Sequence, residues 1–224
     1  MTTIVLLPGM DGTGTLYAPL HKALNDRCKL LVVTYPVDQV LDYAALEAVA
    51  RSYLPVDEEY ILLGESFSGP IAVSIAASQP PGLRALILCA SFARNPHALF
   101  SGLRYFLPCL PVQMAPSALL SHLLLGKFST TELRQLLVHA IMAVSPAVLR
   151  ARMRSVLLVD VRQKLSAIKV PVLYLHATQD RLVPVSAYKE IEKILPSVKL
   201  YEFDAPHFLL QTKAKEIADL ISGV

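Results

Sequence analysis

Short, unbroken apolar runs alternate with stretches whose apolar residues recur every three or four positions. IVLLPG (residues 4–9), KLLVVTYP (29–36), YILLG (60–64), LRALILCAS (83–91), VPVLYLHATQD (170–180) and VKLYEFDAP (198–206) each read as a strand. Between and after them, TLYAPLHKAL (15–24), YAALEAVARSYL (43–54), PIAVSIAASQP (70–80), SAYKEIEKILP (186–196) and LLQTKAKEIADLISG (209–223) read as helices. Continuous rather than alternating apolarity in the strands means burial on both faces. That pattern belongs to a parallel sheet covered by helices. The predicted fold class is therefore α/β, a doubly wound, mostly parallel sheet of about six strands joined by right-handed crossovers. Ligands of such sheets bind beyond the carboxyl ends of the strands.

One region breaks the alternation. From about Asn95 to Leu165 no strand is evident. Leucine-rich pieces resembling helices, HALFSGLRYFL (97–107), SALLSHLLLGKF (117–128), TTELRQLLVHAIMAV (130–144) and SPAVLRARMRSVLLV (145–159), are punctuated by Pro108, Pro111, Pro116 and Pro146. The expected organisation is a core made of residues 1–94 and 166–224, with a helical cap, 95–165, inserted over the strand ends. No internal repeat or low-complexity segment is present.

Composition adjusts this picture in three places. The chain of 224 residues is 54% hydrophobic and only 17% charged, which suits a deep core and an apolar binding cavity. No run reaches the eighteen or so apolar residues of a spanning helix, so no membrane span is expected. MTTIVLLPG, without a basic start, reads as a first strand and not as a signal peptide. The three cysteines, Cys28, Cys89 and Cys109, are odd in number and lack C-x-x-C spacing, which argues against structural zinc or a disulfide framework. Cys28 and Cys89 read as buried small hydrophobes, and a reducing cytoplasm is the expected location. Charge is uneven. Residues 91–165 hold nine Lys or Arg against Glu132 and Asp160, a net of +7, so the remainder carries −4 of the chain's total of +3. The cluster Arg150, Arg152, Arg154 reads as a solvated face or as a docking surface for an acidic partner such as a carrier protein. Nucleic-acid binding is not expected, since the charge is local and no groove-reading motif occurs.

The candidate chemistry sits at strand ends. GESFSG (64–69) follows strand YILLG and approximates the turn G-x-S-x-G, with Ser68 where the second glycine usually stands. Read alone, Ser66 is either a nucleophile on a strand-to-helix elbow or a serine capping a helix. The elbow needs small residues two before and two after the serine, and Gly64 and Ser68 meet that need. Ser68 is the poorer nucleophile, because its own plus-two neighbour is Pro70. Pro70 falls in the first helical turn, where its missing N–H costs nothing. Asp180 ends the fifth strand and His207 follows the sixth, giving the chain order Ser, Asp, His that accompanies this elbow. Acyl transfer at a serine needs such a nucleophile, base and orienting carboxylate, together with amide donors for the oxyanion. The glycine-rich first loop, LPGMDGTG (7–14), offers the Met10 amide, and the elbow offers that of Phe67. Asp204 and Asp160 are rival carboxylates. His176 reads as a core or rim histidine, and His21, His97, His122 and His139 show no ligand spacing. Glu65 is a possible substrate contact or a side chain hydrogen-bonded near the elbow. Asp11 is a possible substrate contact or a turn stabiliser. No metal or cofactor is called for by this chemistry.

With these motifs in place, the chain resembles the α/β-hydrolases along essentially its whole length. It is similar to small microbial carboxylesterases and, through VLLVDVRQKLSAIKVPVLYLHATQDRLVP (156–184) and DAPHFLL (204–210), to the pimeloyl-acyl-carrier-protein methyl ester esterases. The resemblance implies a serine hydrolase with a helical lid, acting on a small-molecule ester whose acyl part reaches under that lid. The departures are Pro8-Gly9 in place of His-Gly in the oxyanion loop, Glu65 and Ser68 in the elbow, and the absence of tryptophan. PGMDGTG also resembles loops of acyltransferase-like and thioesterase-like hydrolases. Transfer or thioester cleavage from a carrier, and a non-catalytic binding role on the same fold, are the alternatives.

Overall fold

A computed structural model describes residues 2–97 and 116–223. Six strands form one sheet: β1 (Thr2–Leu7), β2 (Cys28–Val32), β3 (Tyr60–Glu65), β4 (Leu83–Cys89), β5 (Val172–Ala177) and β6 (Lys199–Phe203). Their order is β2-β1-β3-β4-β5-β6, and every neighbouring pair is parallel. The chain starts near one edge, winds outward, returns to the centre and then proceeds to the other edge. That reversal between β1 and β3 is where a doubly wound sheet opens a crevice for a ligand.

The strands are apolar throughout because both faces are buried. On β1, Val5 and Leu7 enter one core and Ile4 and Leu6 the other. Leu86 and Leu88 of β4 oppose Ala85 and Ile87 in the same way. The first face is covered by α2 (Tyr43–Arg51), α3 (Gly69–Ala77) and α7 (Val185–Ile194). The second is covered by α1 (Ala18–Leu24), α8 (Leu209–Thr212) and α9 (Ala214–Ile221). Helix α3 is buried around its whole circumference, which explains its lack of a polar face. Cys28 and Cys89 are buried free thiols, and Cys89 lines the second core.

Three sequence expectations shift. β5 ends at Ala177, so Asp180 does not end the strand but lies three residues into the loop that follows. β2 ends at Val32, four residues short of Pro36, and the chain then leaves the sheet to bond with the first loop, Tyr35 N–H to Gly12 O at 2.8 Å. The last expected helix is two, broken at Lys213 (φ −121°, ψ 30°). Thr212 Oγ1 donates to Phe208 O at 2.7 Å, a back-bond that competes with the helical ladder. The break lets α8 bury Leu209, Leu210 and Gln211 beneath the strand ends while α9 lays Ile217, Ala218 and Ile221 against the core shared with α1.

Between β4 and β5 come α4 (Ser117–Leu124), α5 (Thr131–Met142) and α6 (Pro146–Leu158). Thr130 and Ser145 cap α5 and α6 through their hydroxyls. These helices seat on loops at the carboxyl ends of the strands. Leu125, Leu137 and Ala140 pack with Leu16 and Phe208, and Val144, Val148 and Leu149 pack with Met10 and Val37. The piece at 98–107, with Arg104, and Pro108, Cys109 and Pro111 lie outside the described residues. No single helix among the described residues is long and apolar enough to cross a membrane; α5 and α6 together reach that length but meet at 98°.

Candidate active site

The turn after β3 is built by close approach. A Cβ on Gly64 would stand 2.7 Å from Ala72 Cβ and 3.0 Å from Ser68 O, so only glycine fits. Gly69, the glycine that arrives one place late, faces the Ser91 side chain, and a Cβ there would fall 1.7 Å from Ser91 Oγ. Between them Ser66 adopts φ 48°, a left-handed conformation that costs a non-glycine residue on the order of 1–3 kcal/mol. The surroundings hold it there: Ser91 Oγ donates to Ser66 O at 2.5 Å, and Tyr174 O–H donates to Ser91 O at 2.5 Å. The result lifts the half-buried Ser66 hydroxyl above the sheet at the start of a short 3-10 turn leading into α3.

His207 and Asp180 meet it from the other half of the chain. Ser66 Oγ lies 2.8 Å from His207 Nε2, and His207 Nδ1 lies 2.8 Å from Asp180 Oδ2. Asp180 Oδ1 accepts the amides of Leu182 and Val183 at 2.8 and 2.9 Å, which fixes the carboxylate plane. Both side chains are nearly inaccessible, 7% exposed for His207 and 1% for Asp180. Burial opposes the Asp180 charge, but the charge and hydrogen bond of His207 and the two amides outweigh it and hold the carboxyl below its ordinary range. Burial likewise works against a charged His207, and the Asp180 charge and hydrogen bond, aided by Glu65, raise its pKa above 6.5. In a neutral imidazole so placed, Nδ1 carries the proton to Asp180 and Nε2 is left to accept from Ser66.

The rival carboxylates are elsewhere. Asp204 is exposed and stands 3.4 Å from Lys127, while Asp160 pairs with Arg162. His176 is buried on β5 beside Tyr174, with ring centroids 6.5 Å apart. His97 bonds the Leu182 carbonyl at 2.7 Å. Among the described residues no cluster of His, Cys, Asp or Glu has the form of a metal site.

Of the two expected amide donors, Met10 lies in the turn after β1 and its N–H makes no hydrogen bond among the described residues. Phe67 holds the second position of the 3-10 turn, where an amide has no acceptor within the turn. Asp11 is buried and turned onto its own loop, its Oδ2 accepting from Thr13 N–H at 2.9 Å and Thr13 Oγ1 at 2.5 Å. Glu65 is also buried, its Oε1 accepting from Gln211 Nε2 at 3.0 Å and its Oε2 without a partner among the described residues. Burial pushes the Glu65 carboxyl up to about 7; Gln211 pulls it back, the Asp11 charge adds to the rise and His207 opposes it.

Three features escape a reading by motif. Ser68 is fully buried, donates its hydroxyl to Pro8 O and accepts from Tyr35 O–H at 2.9 Å, so the unusual elbow residue ties the turn to the first loop. Gln211, in α8 just after His207, turns its amide to Glu65 Oε1 and the Leu16 carbonyl, partners that no local pattern announces. The third corrects an expectation: Arg152 belongs to no solvated face. It is 1% exposed and bonds the carbonyls of Met10, Asp11 and Pro36. Residues two apart on a helix point to opposite sides. Arg152 therefore shares the buried stripe of Val148 and Leu149, and Arg154 faces out. That stripe was the available signal.

Relatives agree with this architecture. A protein from Caulobacter sp. (strain K31), whose name places it among carbamate hydrolases as RutD, is 24% identical over 221 residues, covering 88% of this chain and 80% of its own length. Phytyl ester synthase 1 of Arabidopsis thaliana, a chloroplast protein, is 32% identical over 127 residues, 52% of this chain but only 17% of the longer relative. Among solved structures, an esterase from Exiguobacterium antarcticum superposes with a TM-score of 0.83 at 15% identity, covering all of this chain and 91% of the esterase. Residues 4–220 match the alpha/beta hydrolase family, and the chain belongs to it.

Proposed function

We propose that the protein is a serine hydrolase of carboxylic esters. Ser66 Oγ attacks the ester carbonyl as His207 Nε2 takes its proton, and Asp180 holds the imidazole and stabilises its charged form. The Met10 and Phe67 amides receive the oxyanion. His207 returns the proton to the leaving alcohol, an acyl group remains on Ser66, and water activated by the same imidazole releases it. The observation that carries this reading is the unbroken relay, 2.8 Å at each link, ending on a serine held at φ 48°. The site needs no metal or cofactor for these steps.

The substrate is a small-molecule ester, with residues 95–165 serving as the cap over its acyl part. The packing of α4–α6 on Leu16, Phe208 and Met10 supports that placement. A second reading is acyl transfer to an alcohol, supported by the similarity to phytyl ester synthase over half the chain. Hydrolysis of a short p-nitrophenyl ester tests the proposal. Turnover is expected for the wild type and absent from S66A; S66A activity equal to wild type refutes it. Product analysis with a competing alcohol separates hydrolysis from transfer.

A further inference from the structure

The loop Pro8–Gly12 carries one of the two oxyanion donors, yet its own sequence does little to fix it. It contains one internal backbone bond, Gly12 N–H to Gly9 O at 3.1 Å, and glycines at positions 9 and 12. What fixes it arrives from three distant parts of the chain. Ser68, in the elbow, holds the Pro8 carbonyl. Tyr35, beyond β2, donates its amide to Gly12 O and its hydroxyl to Ser68. Arg152, from helix α6, takes the carbonyls of Met10 and Asp11 on one nitrogen, Nη1, at 2.9 and 2.8 Å, and the Pro36 carbonyl on Nη2 at 2.9 Å. The guanidinium stands 5.8 Å from the centre of the Tyr35 ring. A Cβ on Gly12 would meet Nη1 at 2.5 Å, and Gly12 has φ 71°, so this turn admits only glycine.

A buried cation spent on neutral carbonyls is a costly way to shape an ordinary loop. Burial pulls the Arg152 pKa down from its ordinary value, against the supporting charge of Asp11 and the pull of Tyr35. The planar fork of arginine suits the task, since it holds several acceptors in fixed directions where a lysine holds a point.

We infer that Arg152 is a positioning residue of the reaction: with Ser68 and Tyr35 it clamps the loop Pro8–Gly12 so that the Met10 amide faces the oxyanion. This rests on the serine-hydrolase reading and adds to it a part of the catalytic geometry supplied by the cap. Oxyanion donors act through preorganisation, so a loosened loop weakens transition-state binding while leaving ground-state binding nearly as it was. Ser68, the departure from glycine in the elbow, then has a reason: glycine has no hydroxyl to offer Pro8.

The test compares R152K, R152M and S68A with the wild type in kcat, KM and affinity for an alkyl trifluoromethyl ketone, which forms a tetrahedral adduct on the serine. A loosened clamp lowers kcat by about 10- to 100-fold in R152M, short of the ~10²–10³-fold loss on removing an oxyanion donor outright. KM stays within about threefold, ketone affinity falls in parallel with kcat/KM, and R152K recovers part of the loss. S68A loses about 10-fold in the same pattern. A role confined to folding moves the melting temperature and the fraction of active protein but not the ketone affinity per active site. Should R152M not fold, R152K and S68A carry the test, each keeping most of the original side chain. Wild-type kcat or unchanged ketone affinity in a folded variant overturns the inference. S66A runs alongside: if wild-type turnover does not depend on Ser66, the hydrolase reading itself fails; if it does and the variants match wild type, only the clamp fails.

Discussion

Two buried carboxylates act on His207, Asp180 in direct contact and Glu65 through its charge, and the chain treats them in opposite ways. Asp180, in the loop after β5, receives three N–H groups, from His207, Leu182 and Val183. Glu65, at the end of β3, receives one, from Gln211, and leaves an oxygen unpartnered among the described residues. Burial alone drives both pKa values upward. For Asp180 the His207 charge and the three donors reverse that drive; for Glu65 one donor and the His207 charge do not, the Asp11 charge adds to the rise, and the pKa reaches about 7. The charges and the N–H groups placed beside each carboxyl therefore separate the two, and they can serve one site in different protonation states. Asp180 is suited to orient an imidazolium. Glu65, without direct access to solvent, is suited to tune the field below it.

Several substitutions break or sharpen that contrast. The largest effect is expected from D180N, which keeps the shape but favours the wrong imidazole tautomer; kcat should fall about 10⁴-fold, read from steady-state ester hydrolysis. E65Q, by contrast, should leave kcat within a few-fold of wild type. Its effect is on stability. Between the ordinary glutamate value of 4.5 and about 7, the native state keeps a proton that the unfolded chain gives up, so wild-type stability declines as pH rises through that window. The decline is on the order of 3 kcal/mol, from about 1.4 kcal/mol per pKa unit. E65Q removes it, and urea unfolding at pH 5 and pH 8 should show the variant losing less stability than the wild type between the two. An equal decline in both proteins contradicts the account of Glu65.

Asp180 has the opposite sign. Its folded pKa is depressed, so its contribution is fully present above the ordinary aspartate value of 3.8 and is lost as pH falls through the folded value. Acid unfolding of D180N should lack that component. The smallest effect concerns the rate profile. Because His207 must be neutral to act as base, kcat/KM should fall on the acid side with a midpoint above 6.5. Glu65 contributes to that rise, so E65Q should move the midpoint toward lower pH, and a shift upward counts against it.

How much of this was legible in the sequence follows the same division between local and distant causes. The strands are legible because burial on two faces leaves an unbroken apolar run, and the order Ser66, Asp180, His207 is visible because Ser66 directly follows β3 while Asp180 and His207 lie in the short loops just past β5 and β6. Gly64 was readable from the needs of a tight turn. The role of Arg152 is hidden, because three arginines at alternate positions look like one charged face until helical geometry sorts them. The carbonyls it holds belong to residues 10, 11 and 36, more than a hundred positions away. Ser68 reads in the sequence only as a small residue in place of glycine, since the partners of its hydroxyl, Pro8 and Tyr35, come from elsewhere in the chain. The raised pKa of Glu65 comes from its burial, partly offset by Gln211, a residue from the other end of the chain that leaves no pattern near residue 65.

The central claim is that the relay through His207 makes Ser66 the reactive hydroxyl. Its most direct test is intact-protein and peptide mass spectrometry after brief exposure to a fluorophosphonate. The account predicts one adduct per chain, on the peptide containing Ser66, absent from S66A and greatly slowed in D180N. An adduct on another residue, or equal labelling of S66A, contradicts it.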